Sequence, residues 1–435
     1  MRKQLFAVAN LTIFAQAAAF AKMWITASLF GVGSVLDGYF LALTAPTLIG
    51  GIVSGGLQTA IFPVRARLAE RQGQEVAARF ERSILAGVLL LGTILAFVVL
   101  LIMPVVIARV GESRSHMIQS SAIFVLPWAA MLVPLNAVGD TLGYFLAFRG
   151  RFPIAAAAPI ANALLGAGLL LAWPEGGLLN LALGTVLGLI LQVFICAWGL
   201  QKAGFIFAAP LAGVAERINE WREMAYLCGW SLPGVAFSNL TVSLPPLMLA
   251  AYGEGAISAF GYAWRLHNVA VQVAVMAFSP VVLARFSSLV AQNAHREIRR
   301  LVRKGAQMAI GLGAMATVFV WLFGAPFLEL VFQGKFDANA ASHVAKQWLW
   351  LTVGLFPAVQ GNVLAKLWQA RGHARMLSFL AGVGLMAFVG TEWLLSKPFG
   401  EQAVSAGLSI SSMVVFLLLW GLYSSQIRTR IDFIR

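Results

Sequence analysis

Long apolar segments, separated by short polar or charged ones, repeat along the whole chain. Each apolar segment has about 20 residues or more, so that as a helix it can cross a hydrocarbon core about 30 Å thick. Hydropathy, together with the positions of Gly, Pro and charged residues, predicts about 12 membrane spans. They cover about residues 5–30, 37–62, 84–108, 118–147, 153–173, 178–201, 225–250, 256–288, 306–332, 343–370, 376–396 and 402–426. The pattern therefore predicts an all-α polytopic membrane protein.

The basic residues are distributed unevenly between the predicted loops. Most of the 31 Lys and Arg residues fall at the two ends of the chain and in every second loop. The opposite loops hold only Arg109, Arg114, Lys335 and Lys397. Because loops rich in Lys and Arg stay on the cytoplasmic side, both termini are predicted to be cytoplasmic.

Composition narrows the class of protein further. Of all residues 60% are hydrophobic and 11% are charged, and the mean hydropathy is +0.83, whereas soluble domains have about 25% charged residues. The net charge of +14 is explained by topology and anionic inner-leaflet lipid rather than by nucleic acid. The chain contains no P-loop, no HExxH and no nucleophile elbow, so neither an enzyme nor a cofactor is predicted.

Parts of the sequence recur at one constant offset. Val193-Phe194 and Trp198-Gly199-Leu200 recur as Val415-Phe416 and Trp420-Gly421-Leu422, and Arg149-Gly150 recurs as Arg371-Gly372. This internal repeat predicts two six-helix lobes of the same orientation around a central cavity, the plan of many transporters. The predicted lobes are residues 1–210 and 224–435, and residues 211–223 form a predicted cytoplasmic linker.

Two cations lie deep within predicted spans. Lys22 and Arg265 are each about 13–15 Å from the outer end of their helices, near the membrane midplane. A cation at that depth costs at least about 2.5–3.5 kcal/mol, so it is expected to face a wet cavity or an acidic partner. The acids that could pair with them are Asp37 and Asp140.

Polar residues at helical spacing accompany these cations. Two stripes are predicted to line the cavity: Asp37, Thr44, Ser54 and Gln58 on the second span, and Ser258, Tyr262, Arg265, Asn268 and Gln272 on the eighth. His267 lies two residues from Arg265, points elsewhere, and is assigned to packing. Two midplane cations without two matching acids indicate an anionic substrate, with phosphate or diphosphate as the obvious group.

Three segments resemble a known family. Residues 30–40 (FGVGSVLDGYF) and 55–63 (GGLQTAIFP) are similar to the first helix pair of the MurJ/MviN-type lipid II flippases, and residues 257–266 (ISAFGYAWRL) are similar to their seventh-to-eighth-helix segment. The resemblance implies the multidrug/oligosaccharidyl-lipid/polysaccharide exporter fold in the bacterial inner membrane. It also implies that Lys22 and Arg265 hold the diphosphate of a lipid carrier.

The resemblance predicts a flippase that moves a lipid-linked saccharide to the periplasmic leaflet by alternating access, with membrane lipids as its other partners. Gln16, Gly50 and Gly51 stand where the family usually has Arg, and many members have two more helices than the twelve predicted spans. Lipid II and a related polyprenyl-diphosphate-linked saccharide therefore both stay open as substrates, and the coupling ion is left open. The alternatives are a cation-coupled small-molecule exporter of the same superfamily and a non-transporting cell-envelope scaffold.

Overall fold

The computed structural model describes residues 2–111, 116–208, 217–276, 286, 288–290, 292 and 294–432. Within these ranges the secondary structure is helical, without a strand. The first helices are α1 (Arg2–Phe30), α2 (Ser34–Gln72), α3 (Gln74–Gly111), α4 (His116–Phe148), α5 (Phe152–Ala172), α6 (Gly177–Lys202) and α7 (Ile218–Ser243). They are followed by α8 (Pro245–Leu249), α9 (Ala256–Met276), α10 (His295–Val331), α11 (Ala338–Val353), α12 (Leu355–Ala370), α13 (Ala374–Phe399) and α14 (Gln402–Asp432).

Most of these helices are long and apolar enough to cross a membrane. The described residues contain 10 such helices, or up to 11 if the bent pair α11–α12 is one span. The predicted span 256–288 begins as α9 and then runs into residues outside the described ranges. The predicted class, an all-α multi-pass membrane protein, is confirmed.

The chain divides into two compact units. The first unit comprises Met1–Val235, Gly253–Gly255 and Gly334–Phe336, and the second comprises Ala236–Tyr252, Ala256–Gln333 and Asp337–Arg435. Residues 209–216, which include part of the predicted linker 211–223, lie outside the described ranges. The predicted lobe bounds stay a prediction.

Small residues let the helices of the first unit approach closely. A Cβ added to Gly38 of α2 would lie 2.5 Å from the Cβ of Ser121 on α4, and one added to Gly184 of α6 would lie 3.1 Å from the Cα of Gly166 on α5. Membrane helices associate through such contacts because lipid provides little hydrophobic driving force between them. The positions of Gly in the sequence thus fix which helix faces meet.

The basic end of the first unit extends beyond the predicted spans. With 39 residues, α2 is about 58 Å long, nearly twice the thickness of a hydrocarbon core. The extra turns of α2 and α3 are held together by Glu81, whose side chain is fully buried and accepts from Arg65 at 2.8 Å and from Arg149 at 2.6 Å. Hydropathy misses these turns because they are polar, although they are helical.

The second unit contains a broken helix. The pair α11–α12 bends by 42° at Gly354. Beside the bend, the hydroxyl of Ser409 on α14 donates to the carbonyl of Trp350 at 2.6 Å, which satisfies a carbonyl near the end of α11. Apolar residues of α10, α12 and α14, including Val302, Leu367 and Leu419, pack together in a hydrophobic core of the second unit.

Candidate functional site

Lys22 lies half-buried among helices of the first unit. Its Nζ donates to the Thr185 hydroxyl of α6 at 3.0 Å, and the Tyr39 hydroxyl of α2 lies 2.8 Å from the same oxygen. A Cβ on Gly166 of α5 would lie 2.8 Å from this Nζ, so the absence of a side chain there makes room for the ammonium group. Lys22 therefore contacts α5 and α6 and bonds to a hydroxyl that it shares with Tyr39.

Asp37 and Thr44 are buried at the start of α2. The Asp37 carboxylate accepts from the backbone N–H of Gly255 at 2.5 Å. The Thr44 hydroxyl donates to the Phe40 carbonyl of its own helix at 3.1 Å. Both side chains thus make contacts inside the first unit, and their predicted role in lining a cavity stays a prediction.

Farther along α2 the stripe meets α4. The hydroxyl of Ser54 donates to the Asp140 carboxylate at 2.5 Å, and the Tyr144 hydroxyl donates to the Ser54 carbonyl at 3.2 Å. Among the described residues no cation forms an ion pair with Asp140. Gln58 is exposed one turn beyond Ser54. Asp140 is therefore not the acid that neutralises Lys22 or Arg265.

The α9 stripe divides into buried and exposed parts. Ser258 and Tyr262 are buried in the second unit, where the Tyr262 ring lies 6.1 Å from that of Phe332. Arg265 and Gln272 are exposed. The stripe therefore faces the interior at its first turns and is accessible from Arg265 onward.

A cavity of about 500 Å³ lies in the second unit and is lined in part by Asn268, His267 and Trp264 of α9. Asn268 belongs to the predicted stripe, whereas His267 and Trp264 do not. The ring of His267 stacks on that of Trp264 at 5.7 Å. The assignment of His267 to packing accounts for this stacking but misses its position on a cavity, which depends on helices distant in sequence.

Lys22 belongs to the first unit and Arg265 to the second, and their joint role as an anion site stays a prediction. The described residues contain no group of three or more His, Cys, Asp or Glu side chains that could hold a metal ion.

A model of the family described as "Lipid II flippase MurJ" matches residues 26–432. The chain belongs to the lipid II flippase MurJ family. A MurJ relative from Synechocystis is 25% identical over 443 aligned residues, which cover 94% of this chain and 79% of the relative. The lipid II flippase MurJ of Burkholderia cenocepacia is 21% identical, and the alignment covers 96% of this chain and 83% of that relative. The family resemblance predicted from three short segments is confirmed over nearly the whole chain.

Solved structures show the same fold. The chain is similar to a lipid II flippase MurJ in an inward closed conformation, with a TM-score of 0.81 and 17% identity, covering 96% of this chain and 87% of that one. The chain is also similar to an inward-facing multidrug transporter of the MATE family in the MOP superfamily. That match has a TM-score of 0.69 and 18% identity, and it covers 98% of this chain and 94% of the transporter. This MurJ-family chain thus has the two-lobe architecture that the sequence predicted.

Proposed function

We propose that this chain is a flippase that moves a polyprenyl-diphosphate-linked saccharide, either lipid II or a related molecule, from the cytoplasmic to the periplasmic leaflet of a bacterial inner membrane. The match of the MurJ family model to residues 26–432 carries the proposal. Its direction rests on the Lys and Arg bias of the predicted inner loops, which orients both termini toward the cytoplasm.

Arg265 and Lys22 are the proposed contacts of the diphosphate. Arg265 is exposed on a helix of the second unit, and its planar guanidinium can form two parallel hydrogen bonds to a phosphate. Lys22 adds a second positive charge from the first unit. The mechanism is alternating access, in which the two states of the carrier bind the headgroup with different affinities and no covalent step is needed.

A reconstituted flipping assay tests the proposal. Purified chain in liposomes is given a fluorescent polyprenyl-diphosphate saccharide, and its arrival in the other leaflet is measured. We expect Arg265→Glu to abolish flipping and Arg265→Lys to keep part of it, since Lys retains the charge but loses the bidentate geometry. The control is Arg303→Glu, the same charge reversal at an exposed position of α10, which should flip normally.

Three outcomes contradict the proposal. Unimpaired flipping by Arg265→Glu would remove Arg265 from the site. Export of an organic cation by the wild type, unchanged or improved in Arg265→Glu, would favour a cation-coupled exporter, because a carboxylate suits a cationic ligand. A wild type that moves neither class of ligand would favour a scaffold.

A further inference from the structure

The cavity of the second unit has the size of a small-molecule site. Its volume of about 500 Å³ falls within the range of about 300–1,000 Å³ that is usual for such sites. It lies where the end of α7, the middle of α9 and the bend between α11 and α12 meet α13 and α14. A cavity bounded by six helices is a pocket rather than a gap between two of them.

The lining of this cavity is neutral. Among the described residues, those that line it include no Asp, Glu, Lys or Arg, and His267 is the one ionisable side chain there. Charged or titratable residues do occur on the helices packed around His267, but they do not line the cavity: Arg265 of α9, His343 and Lys346 of α11, and Lys366 of α12. An ion bound there would have no opposite charge beside it, so the lining favours an uncharged ligand.

The hydroxyl groups of the lining are arranged to accept hydrogen bonds. Three of them donate their hydrogen to a backbone carbonyl: Thr241 to Phe237, Ser409 to Trp350, and Ser411 to Gly384. A hydroxyl that has donated its hydrogen still offers oxygen lone pairs. A ligand that donates hydrogen bonds, through hydroxyl or amide groups, suits such a surface.

His267 provides an independent sign of a ligand. Its side chain is buried, at 6% exposed, and its Nδ1 atom has no hydrogen-bond partner. A buried polar atom left unpaired costs free energy, which a bound group recovers by bonding to it. The residue itself lines the cavity, which is large enough to admit such a group.

We propose that this cavity binds the uncharged sugar part of the lipid-linked saccharide, with His267 and the lining hydroxyls bonding to sugar hydroxyl or amide groups. The inference rests on the proposed function and assigns a second part of the same substrate. Asn268 lines the cavity three residues after Arg265, about 60° around α9 and about 4.5 Å along it. A diphosphate at Arg265 would thus be about one sugar ring away from the cavity.

Comparison of two ligands tests the assignment. The affinity of the purified full chain in nanodiscs is measured for a polyprenyl diphosphate and for the same lipid bearing an uncharged disaccharide. We expect the wild type to bind the disaccharide form about tenfold more tightly. Ala381→Phe, which fills the cavity from α13, should abolish this preference and leave the affinity for the bare diphosphate unchanged. The matched control is Ala314→Phe, at an exposed position of α10, which should keep the preference.

Further variants cover the cases in which Ala381→Phe does not fold or acts indirectly. Ala358→Leu fills the same cavity from α12. His267→Phe should reduce the preference about fivefold or more, whereas His267→Gln, which keeps a polar side chain, should retain part of it.

The outcomes separate this inference from the proposed function. The inference is wrong if the wild type binds both ligands equally, or if a folded cavity-filled variant still prefers the disaccharide form. The cavity then holds only water, while the flippase proposal stands. If His267→Phe removes a pH dependence of binding but leaves the sugar preference intact, His267 serves as a proton site and the inference is again wrong. If the wild type binds neither ligand, the proposed function itself fails.

Discussion

At the scale of single residues, the Lys22 ammonium has one observed role and one proposed role. Its hydrogen bond to Thr185 ties α1 to α6, and its charge is proposed to hold the diphosphate. A neutral hydroxyl solvates an ammonium without cancelling its charge, unlike a carboxylate. The bond to Thr185 is therefore compatible with anion binding, and the two roles can be separated by mutation.

Two substitutions should separate them. Lys22→Met removes the charge, and we expect it to weaken binding of a polyprenyl diphosphate by about tenfold or more. Thr185→Val removes only the hydroxyl; it should lower the free energy of unfolding by about 1 kcal/mol and change diphosphate affinity less than twofold. Ligand affinity and thermal unfolding of both variants are the measurements. Equal loss of affinity in the two variants would mean that Lys22 acts through packing alone.

The depth of a charge in a span could be predicted from the sequence, because depth follows from residue count along a helix. The direction of the side chain could not. Ser258, Asn268 and Gln272 share one predicted stripe, yet Ser258 is buried, Asn268 lines a cavity and Gln272 is exposed. What each one meets depends on the helices packed beside it.

At the scale of elements, the bend between α11 and α12 depends on a close contact. A Cβ on Gly354 would lie 2.5 Å from the Oγ and 2.8 Å from the Cα of Ser409 on α14, so only glycine fits without a shift of backbone. Hydropathy predicts a single span over 343–370, since both halves are apolar. The bend is not visible in that pattern because it arises from a neighbouring helix.

Replacement of this glycine should therefore destabilise the second unit. We expect Gly354→Ala to lower the free energy of unfolding by about 1–3 kcal/mol, because the added methyl group displaces α14. Gly390→Ala on α13, where a Cβ meets nothing within 4 Å, should be neutral or slightly stabilising. The measurement is the thermal unfolding of both variants in the same detergent. A Gly354→Ala variant as stable as Gly390→Ala would show that α14 can shift without loss of stability.

At the scale of the whole molecule, the class of fold could be predicted because membrane helices must satisfy their own backbone and be about 20 residues long. Hydropathy predicts about twelve spans, and the described residues contain 10, or up to 11. The predicted bounds fit α4, α5 and α6 closely, whereas α2, α3 and α10 continue past their predicted spans as polar helix. The family could be predicted from three segments. The cavity of the second unit could not, because its lining comes from six separate helices.

The orientation in the membrane is open to a direct test. In a variant with Cys196 and Cys228 replaced by Ala, a cysteine introduced at Gln292 should not react with a membrane-impermeant thiol reagent applied to intact cells. The positive-inside rule places this loop in the cytoplasm. A cysteine at Lys397, which is exposed in the last turn of α13 and belongs to the opposite set of predicted loops, should react. The reverse pattern of labelling would invert the direction of the proposed transport.

The helical hairpin formed by the last turns of α2 and the first turns of α3 has a practical consequence for imaging. Particles of a protein with little mass outside the detergent belt are hard to align in electron cryomicroscopy. Here the hairpin projects past the expected bilayer, and the buried carboxylate of Glu81 holds its two arms together. The turn around Gly73, where the backbone has a φ of 92°, is a position for inserting a helical fusion protein. The hairpin would hold that protein in a fixed orientation, so it would serve as a fiducial marker.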